Sequence, residues 1–257
     1  MNNIFTALVF IAGLSIGSFL NVVIDRLSEG KTLLGRSMCD YCERVLQPLE
    51  LVPVLSWLLQ KGLSRCCGKK LAWQYPGVEI LTGVAFVIVW MQVFMRTGNI
   101  VSTIGMWGIV SSLIVITIAD LKYHIIPDAA LASLALFGTM LIGHDLFKPV
   151  AFQGRVLAAG VLFGGMALLY AATRGRGLGF GDVKFAGVIG YLLGLQQGFI
   201  ALYIAFITGG IIAIFLLLTT KKGLKSEVAF GPFMVWGMVA VALFGTHIQK
   251  LIPQLFF

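Results

Sequence analysis

The sequence predicts an all-α polytopic membrane protein, with seven or eight transmembrane helices and a small cysteine-containing cytoplasmic loop domain. Three observations carry that prediction. Of 257 residues, 58% are hydrophobic and 12% charged, whereas a soluble domain carries about 25% charge. Apolar runs near the roughly 20 residues needed to cross a bilayer recur from end to end. Lysine and arginine fall unevenly between alternate loops, as topology signals do.

Taken in order, the crossings are 4–24, 78–95, 101–119, 128–147, 156–173, 198–219 and 228–247. An eighth apolar piece, 185–195, is too short for an ordinary crossing, because each helical residue rises only about 1.5 Å. It reads as tilted, buried or re-entrant. The segment Met1-Asn2-Asn3-Ile4-Phe5-Thr6 has neither the basic region nor the small-residue cleavage site of a removable signal, so the first run reads as a retained anchor. Gly13 and Gly17 in that run allow a neighbouring helix to approach closely, and Asn21 reads as a hydrogen-bond partner for it. The chain thus divides into a first helix (1–24), a cytoplasmic cysteine-containing loop domain (25–77) and a membrane core (78–257). In the loop, residues 48–59 are apolar but too short to span. Two prolines and Trp57 suggest a piece lying on the membrane or under the bundle. No internal repeat stands out.

With eight crossings and the amino terminus outside, 15 of the 19 basic residues face inward, leaving Arg96, Lys148, Arg155 and Lys250 outside. The net charge of +8 is therefore a topology signal and an attraction to anionic lipid. Spread over several loops without a polar aromatic surface, it excludes a nucleic-acid partner.

The same assignment puts Asp120 and Asp182 together on the inner side. A carboxylate at a bilayer edge is costly and marks a functional site by default. Asp120 ends an apolar run, where an anion opposes the helix dipole; the bland alternative is an ion pair with Lys122. Asp182 follows Gly177-Leu178-Gly179-Phe180-Gly181, whose glycines permit positive φ and close backbone approach. The bland alternative there is a flexible loop with Asp182 as a helix cap. Gly179 and Gly181 would shape a turn facing an extended peptide, and Lys184 is an interfacial anchor near enough to tune a carboxylate. Pro127 predicts a turn, which leaves Asp128 as the cap of the next helix. Paired carboxylates share a proton, so one can activate water while the other polarises a peptide carbonyl. That chemistry needs no metal and no cofactor. His124, His144 and His247 are too scattered for a histidine metal site. A proton- or cation-coupled transporter would use the same aspartates, although transport sites usually lie near the midplane.

These segments resemble the type IV prepilin leader peptidases, membrane aspartic proteases with a Gly-x-Gly-Asp motif. The resemblance runs through Gly17-Ser18-Phe19-Leu20-Asn21-Val22-Val23, Tyr75-Pro76-Gly77-Val78-Glu79, Asp120 to Ile126-Pro127-Asp128, and Gly179-Phe180-Gly181-Asp182-Val183-Lys184. It implies that Asp120 and Asp182 are catalytic. It also implies cleavage, on the cytoplasmic side of the inner membrane, of the basic leader of prepilins or pseudopilins from pilus, secretion or competence systems. Many bacterial relatives then N-methylate the new amino terminus with S-adenosylmethionine. The family pattern further implies two Cys-x-x-Cys pairs holding a structural zinc. Here Cys39 and Cys42 fit, but the second pair reads Ser64-Arg65-Cys66-Cys67. A site of Cys39, Cys42, Cys66 and Cys67, a three-cysteine site and no metal at all remain open.

Overall fold

The computed structural model describes residues 2–146, 148–219 and 229–256. The crossing ends at Phe147 and Val228, and the inner lysines Lys221, Lys222 and Lys225, lie outside the described residues. The regular structure among those described is helical, relieved only by two isolated β-bridges. The chain forms two compact units, Met1–Val115 and Ile116–Phe257.

In the first unit, α1 (Asn2–Ser28) packs along α3 (Gln74–Val89). The small residues expected to permit this do so. A Cβ at Gly17 would lie 2.6 Å from the Glu79 Cα, and one at Gly13 would lie 2.7 Å from the Gly83 Cα. Without those side chains the two backbones come into direct contact, which is how helices associate where lipid offers no hydrophobic drive. Asn21, as expected, donates to the Tyr75 carbonyl on α3 at 3.1 Å. Between α1 and α3 the loop forms a 3₁₀ turn (Pro48–Leu51) and a short α2 (Leu55–Leu59). Pro53 interrupts them, and the Val54 N–H donates to Glu79 Oε2 at 2.7 Å, so the apolar segment is tied to the start of α3. Beyond α3 the helix widens through a π-turn (Trp90–Phe94) into α4 (Met95–Thr97) and ends at Gly98, whose φ is 65°. The first half of α5 (Ile100–Tyr123) then packs back on α3, with Trp107 stacked on Phe86 at 5.0 Å and donating its indole N–H to the Phe86 carbonyl.

The second unit begins at Ile116 within α5 and contains α6 (Asp128–Leu146), α7 (Pro149–Thr173), α8 (Phe180–Leu193), α9 (Leu195–Thr219) and α10 (Gly231–Phe256). The short apolar piece of the sequence is α8, and it is buried. It packs against α6, α7, α9 and α10, and Val183, Phe185, Ala186 and Ile189 are wholly inaccessible. A Cβ at Gly190 would lie 2.6 Å from the Ala158 carbonyl oxygen of α7. Its neighbours therefore reach α8 through missing side chains as well as packed ones.

Five helical stretches among the described residues are long and apolar enough to cross a membrane: Asn3–Ser28, Gln74–Thr97, Ile100–Tyr123, Pro149–Thr173 and Leu195–Leu216. The apolar parts of α6 and α10, Asp128–Gly143 and Gly231–Gly245, are shorter. Together they make this an all-α, multi-pass membrane protein.

Candidate active site and cysteine cluster

Asp120 stands one turn from the end of α5. The helix stops at His124, which takes a left-handed conformation (φ 54°) and returns its N–H to the Asp120 carbonyl at 2.9 Å. This is an αL helix terminus on a non-glycine residue. The chain then runs through Ile125, Ile126 and Pro127 into α6. Ile126 is buried against the first turn of α8, where a Cβ on Gly181 would lie 3.0 Å from the Ile126 Cβ. The glycine thus lets the strand leaving Asp120 lie directly beside the turn that carries Asp182.

The glycine-rich bend contributes differently from the sequence expectation. None of Gly177, Gly179 and Gly181 has a positive φ; that conformation falls at Arg174 and Gly175, which end α7. Gly179 is extended and caps α8, and its N–H donates to Asp182 Oδ2 at 2.9 Å. Asp182 therefore reaches back to satisfy an orphan donor of its own helix, as a capping-box acid does. The capping alternative for Asp182 has a real geometric basis, yet the side chain is also buried.

Asp120 and Asp182 are 6% and 7% exposed, and they are the only buried aspartates among the described residues. The Asp120 charge reaches Asp182, as a smaller influence than burial or the Gly179 N–H. Each gives Oδ2 to a glycine amide. For Asp120 the donor is Gly231, at the start of α10, at 2.7 Å. A carboxylate among helix-start N–H groups meets the positive end of a helix dipole. This offsets part of the cost of burying Asp120 at a helix C-terminus.

Two neighbouring residues take roles the sequence did not foresee. Asp128 does not cap α6; its first-turn amides close on the Pro127 carbonyl. The Asp128 carboxylate instead receives both contacts of Lys184 Nζ, at 2.7 and 2.8 Å. Lys184 therefore ties the start of α6 to α8, and its ammonium also lies 5.3 Å from the Phe180 ring centroid. Its charge is spent on Asp128 rather than on either buried aspartate. Gly231 and Ile126 had no local signal. Gly231 precedes Pro232 at a helix start, a common pattern, and its contact with Asp120 spans 111 residues.

The cysteine loop holds the internal repeat that the residue pattern had hidden. Two knuckles share one hydrogen-bond plan. In the first, Cys39 N–H donates to Arg44 O, Glu43 N–H to Cys39 O and Leu46 N–H to Ser37 O. In the second, Ser64 N–H donates to Lys69 O, Gly68 N–H to Ser64 O and Leu71 N–H to Gly62 O. Matching bridges join Met38 to Val45 and Leu63 to Lys70. Ser64 thus occupies the place of Cys39, and Cys67 that of Cys42. Cys66 nevertheless brings its sulfur into the cluster. The ligand atoms of Cys39, Cys42, Cys66 and Cys67 all lie within 4.8 Å of one another, with Cys39 and Cys67 at 3.8 Å. A tetrahedral zinc with bonds of about 2.3 Å sets its sulfurs about 3.8 Å apart; Cys39 and Cys67 match that spacing, whereas Cys42 and Cys66, at 3.0 Å, would have to part to take the ion. Ser64 Oγ lies 3.3 Å from the Cys39 sulfur and 3.1 Å from that of Cys66. Burial pushes the Cys39 thiol up, but the Ser64 hydroxyl and nearby main-chain N–H groups outweigh it and bring the thiol down to about 6. At Cys39 that favours the thiolate a metal needs, whereas the hydrogen bond with Cys66 pushes the Cys42 thiol up to about 12.

Fold and site together define a helical membrane protein with a pair of buried, interacting carboxylates at glycine-built helix starts. The chain belongs to the type IV leader peptidase family. The profile described as "Type IV leader peptidase family" matches residues 107–214, and the one described as "Bacterial Peptidase A24 N-terminal domain" matches residues 11–93. It is similar to the prepilin leader peptidase/N-methyltransferase of Bacillus subtilis (strain 168), 30% identical over 246 residues that cover 94% of this chain and 95% of the relative. It is similar to that of Aeromonas hydrophila, 29% identical over 96% of this chain and 93% of the relative. Against the Myxococcus xanthus (strain DK1622) protein of the same name, identity is 31% over 87% and 67%. No solved structure matches the chain. Family membership displaces the transport reading of the two aspartates.

Proposed function

We propose that this chain is a membrane aspartic endopeptidase that removes the basic leader of prepilins or pseudopilins on the cytoplasmic side of the inner membrane, with Asp120 and Asp182 as the reacting pair. The observation that carries the reading is the burial of two aspartates, one on α5 and one on α8, each accepting a glycine amide at Oδ2, in a chain of this family. The ionised member takes a proton from water as the water oxygen attacks the scissile carbonyl carbon. The protonated member gives its proton to the carbonyl oxygen. When the tetrahedral diol collapses, the proton taken from water passes to the departing amide nitrogen, one hydroxyl proton of the diol returns to the other carboxylate as the C=O re-forms, the C–N bond breaks, and the pair again shares one proton. Gly179 and Gly181 shape the turn that carries Asp182, where side chains would crowd Asp182 and Ile126, and the substrate peptide lies against that turn.

The relatives' names carry a second activity, N-methylation, and it extends to this chain as part of the proposal. S-adenosylmethionine, when bound, supplies the methyl group to the new amino terminus. Among the described residues, the buried side-chain N and O atoms without a partner are Asn21 Oδ1, Ser28 Oγ, Trp57 Nε1 and Gln74 Nε2. All lie in the first unit, at the ends of α1 and α3 and on α2. They are the donors and acceptors with which that unit would hold a polar methyl donor. Cys39, Cys42, Cys66 and Cys67 hold a structural zinc that fixes a loop too small to bury a core of its own.

The test is cleavage of a model prepilin by the purified protein in lipid, with and without S-adenosylmethionine, read by product mass. Leader loss reports proteolysis and an added methyl reports the second activity. An intact substrate under all conditions would overturn the reading.

A further inference from the structure

The start of α10 is built around a single amide. A helix opens with N–H groups that lack partners inside it. Here Pro232 has none to offer, and the N–H groups of Phe233 and Met234 both turn back to the Phe230 carbonyl, at 3.0 and 3.2 Å. The Gly231 N–H points away from the helix to Asp120 Oδ2, at 2.7 Å. There is no space for another residue at this position. A Cβ on Gly231 would lie 2.8 Å from Oδ2, 3.2 Å from Cγ and 3.3 Å from the Cβ of Asp120. Asp182 has a parallel contact, Gly179 N–H to Oδ2, but its donor is three residues away on the same helix. Asp182 is placed locally, whereas Asp120 is placed by a different helix.

A main-chain N–H can only donate, and it bonds best to the unprotonated oxygen of a carboxyl group, so it biases the proton toward the other oxygen. We infer that Gly231 is a positioning residue for the aspartate pair: its amide holds Oδ2 of Asp120 as an acceptor and biases proton transfer at Asp120 toward Oδ1. With Gly179 doing the same at Asp182, the geometry favours passage of the catalytic proton between the two Oδ1 atoms, the water and the scissile amide. The inference rests on Asp120 being one of the reacting carboxylates. It adds that the geometry of Asp120 is set from α10, and that glycine is required at position 231 for contact with the carboxylate.

The experiment compares Gly231→Ala, Asp120→Asn and Gly209→Ala with the unchanged protein, in lipid, across a pH series. Gly209→Ala is the packing control. Its Cβ would meet the Phe233 ring at 3.2 Å and the Phe230 ring at 3.4 Å, crowding the start of α10 from α9 without touching Asp120. Gly231→Ala is expected to lower kcat by roughly 10²-fold, the scale of a 1 Å misplacement, with KM within about threefold of its original value. The acid limb of its pH–rate profile moves to higher pH, because the lost N–H had favoured the ionised carboxylate. Gly209→Ala keeps the original profile whatever it does to stability. An unshifted Gly231→Ala profile, or the same change in both glycine variants, overturns the inference. If Asp120→Asn still cleaves, the proposed function itself fails; if Asp120→Asn is inactive and Gly231→Ala is normal, only the role of Gly231 fails.

Should Gly231→Ala not insert, the unsubstituted protein supplies the answer. Carbonyl-¹³C phenylalanine with ¹⁵N glycine selects the five Phe-Gly pairs of the chain, Phe230-Gly231 among them. The Gly231 amide signal is expected to titrate with pH, and to stop titrating in Asp120→Asn. A Gly231 signal that does not move with pH overturns the inference.

Discussion

At the scale of single residues, the site depends on two carboxylates and on the side chains their neighbours lack. Asp120→Asn and Asp182→Asn keep shape and hydrogen-bonding reach but cannot cycle a proton. Each is expected to abolish leader cleavage while the protein stays inserted, checked by product mass and by thermal unfolding in detergent. Gly181→Ala tests the missing side chain. Its methyl would press on Ile126 at 3.0 Å and push the strand after Asp120 off the turn bearing Asp182. A loss of roughly tenfold or more in kcat is expected, with a smaller change in KM, from steady-state kinetics. The two aspartates were legible in the sequence because their cost at a membrane edge needs a reason, and because charge asymmetry put them on one side. Gly231 was not legible. Its role depends on a contact across 111 residues, and Phe-Gly-Pro alone reads as an ordinary helix start. Asp128 was misread for a related reason: capping is a local rule, and Lys184, its actual partner, arrives from another helix.

At the scale of elements, close helix approach accounts for much of the architecture. Gly17 lets α1 lie against the Glu79 backbone, so Gly17→Val should overpack α1 on α3 and destabilise the first unit by roughly 1–3 kcal/mol, measured by thermal unfolding. The Lys184–Asp128 pair joins α6 to α8 but is substantially exposed, at 37% and 70% of the side chains. Exposed pairs contribute about 0.2–1 kcal/mol. Lys184→Ala should therefore reduce cleavage less than tenfold, and the double change with Asp128→Ala should cost little more, in a double-mutant cycle. The shortness of α8 was visible in the sequence. Its length left a tilted, buried or re-entrant placement open, and the structure buries this helix of 14 residues among its neighbours. The two knuckles escaped notice because the side chains diverged while the main-chain plan persisted, and a sequence displays only the side chains.

At the scale of the whole molecule, the cysteine cluster gives the sharpest check on how far a residue pattern can be trusted. Ser64 breaks the Cys-x-x-Cys rule, yet Cys66 restores a fourth sulfur from the neighbouring position. Metal analysis of purified protein is expected to find about one zinc per chain. Cys66→Ser should lower that content, and the exchange Ser64→Cys with Cys66→Ser should restore it. No zinc in the unsubstituted protein would remove the metal. Topology is checked by the same chemistry. In intact cells a membrane-impermeant thiol reagent should label Arg96→Cys and leave Lys31→Cys untouched, and the reverse pattern would invert the assignment of sides.

The reach from α10 back to Asp120 also orders events during synthesis. When α8 has entered the bilayer, both aspartates are already present in the chain. The amide that holds Asp120 belongs to α10, which is made after both aspartates. A partly made molecule therefore contains the reactive groups without the finished arrangement, and hydrolysis waits for complete insertion. A protein in which α10 ends early or fails to insert is expected to cleave far more slowly, measured on a prepilin substrate.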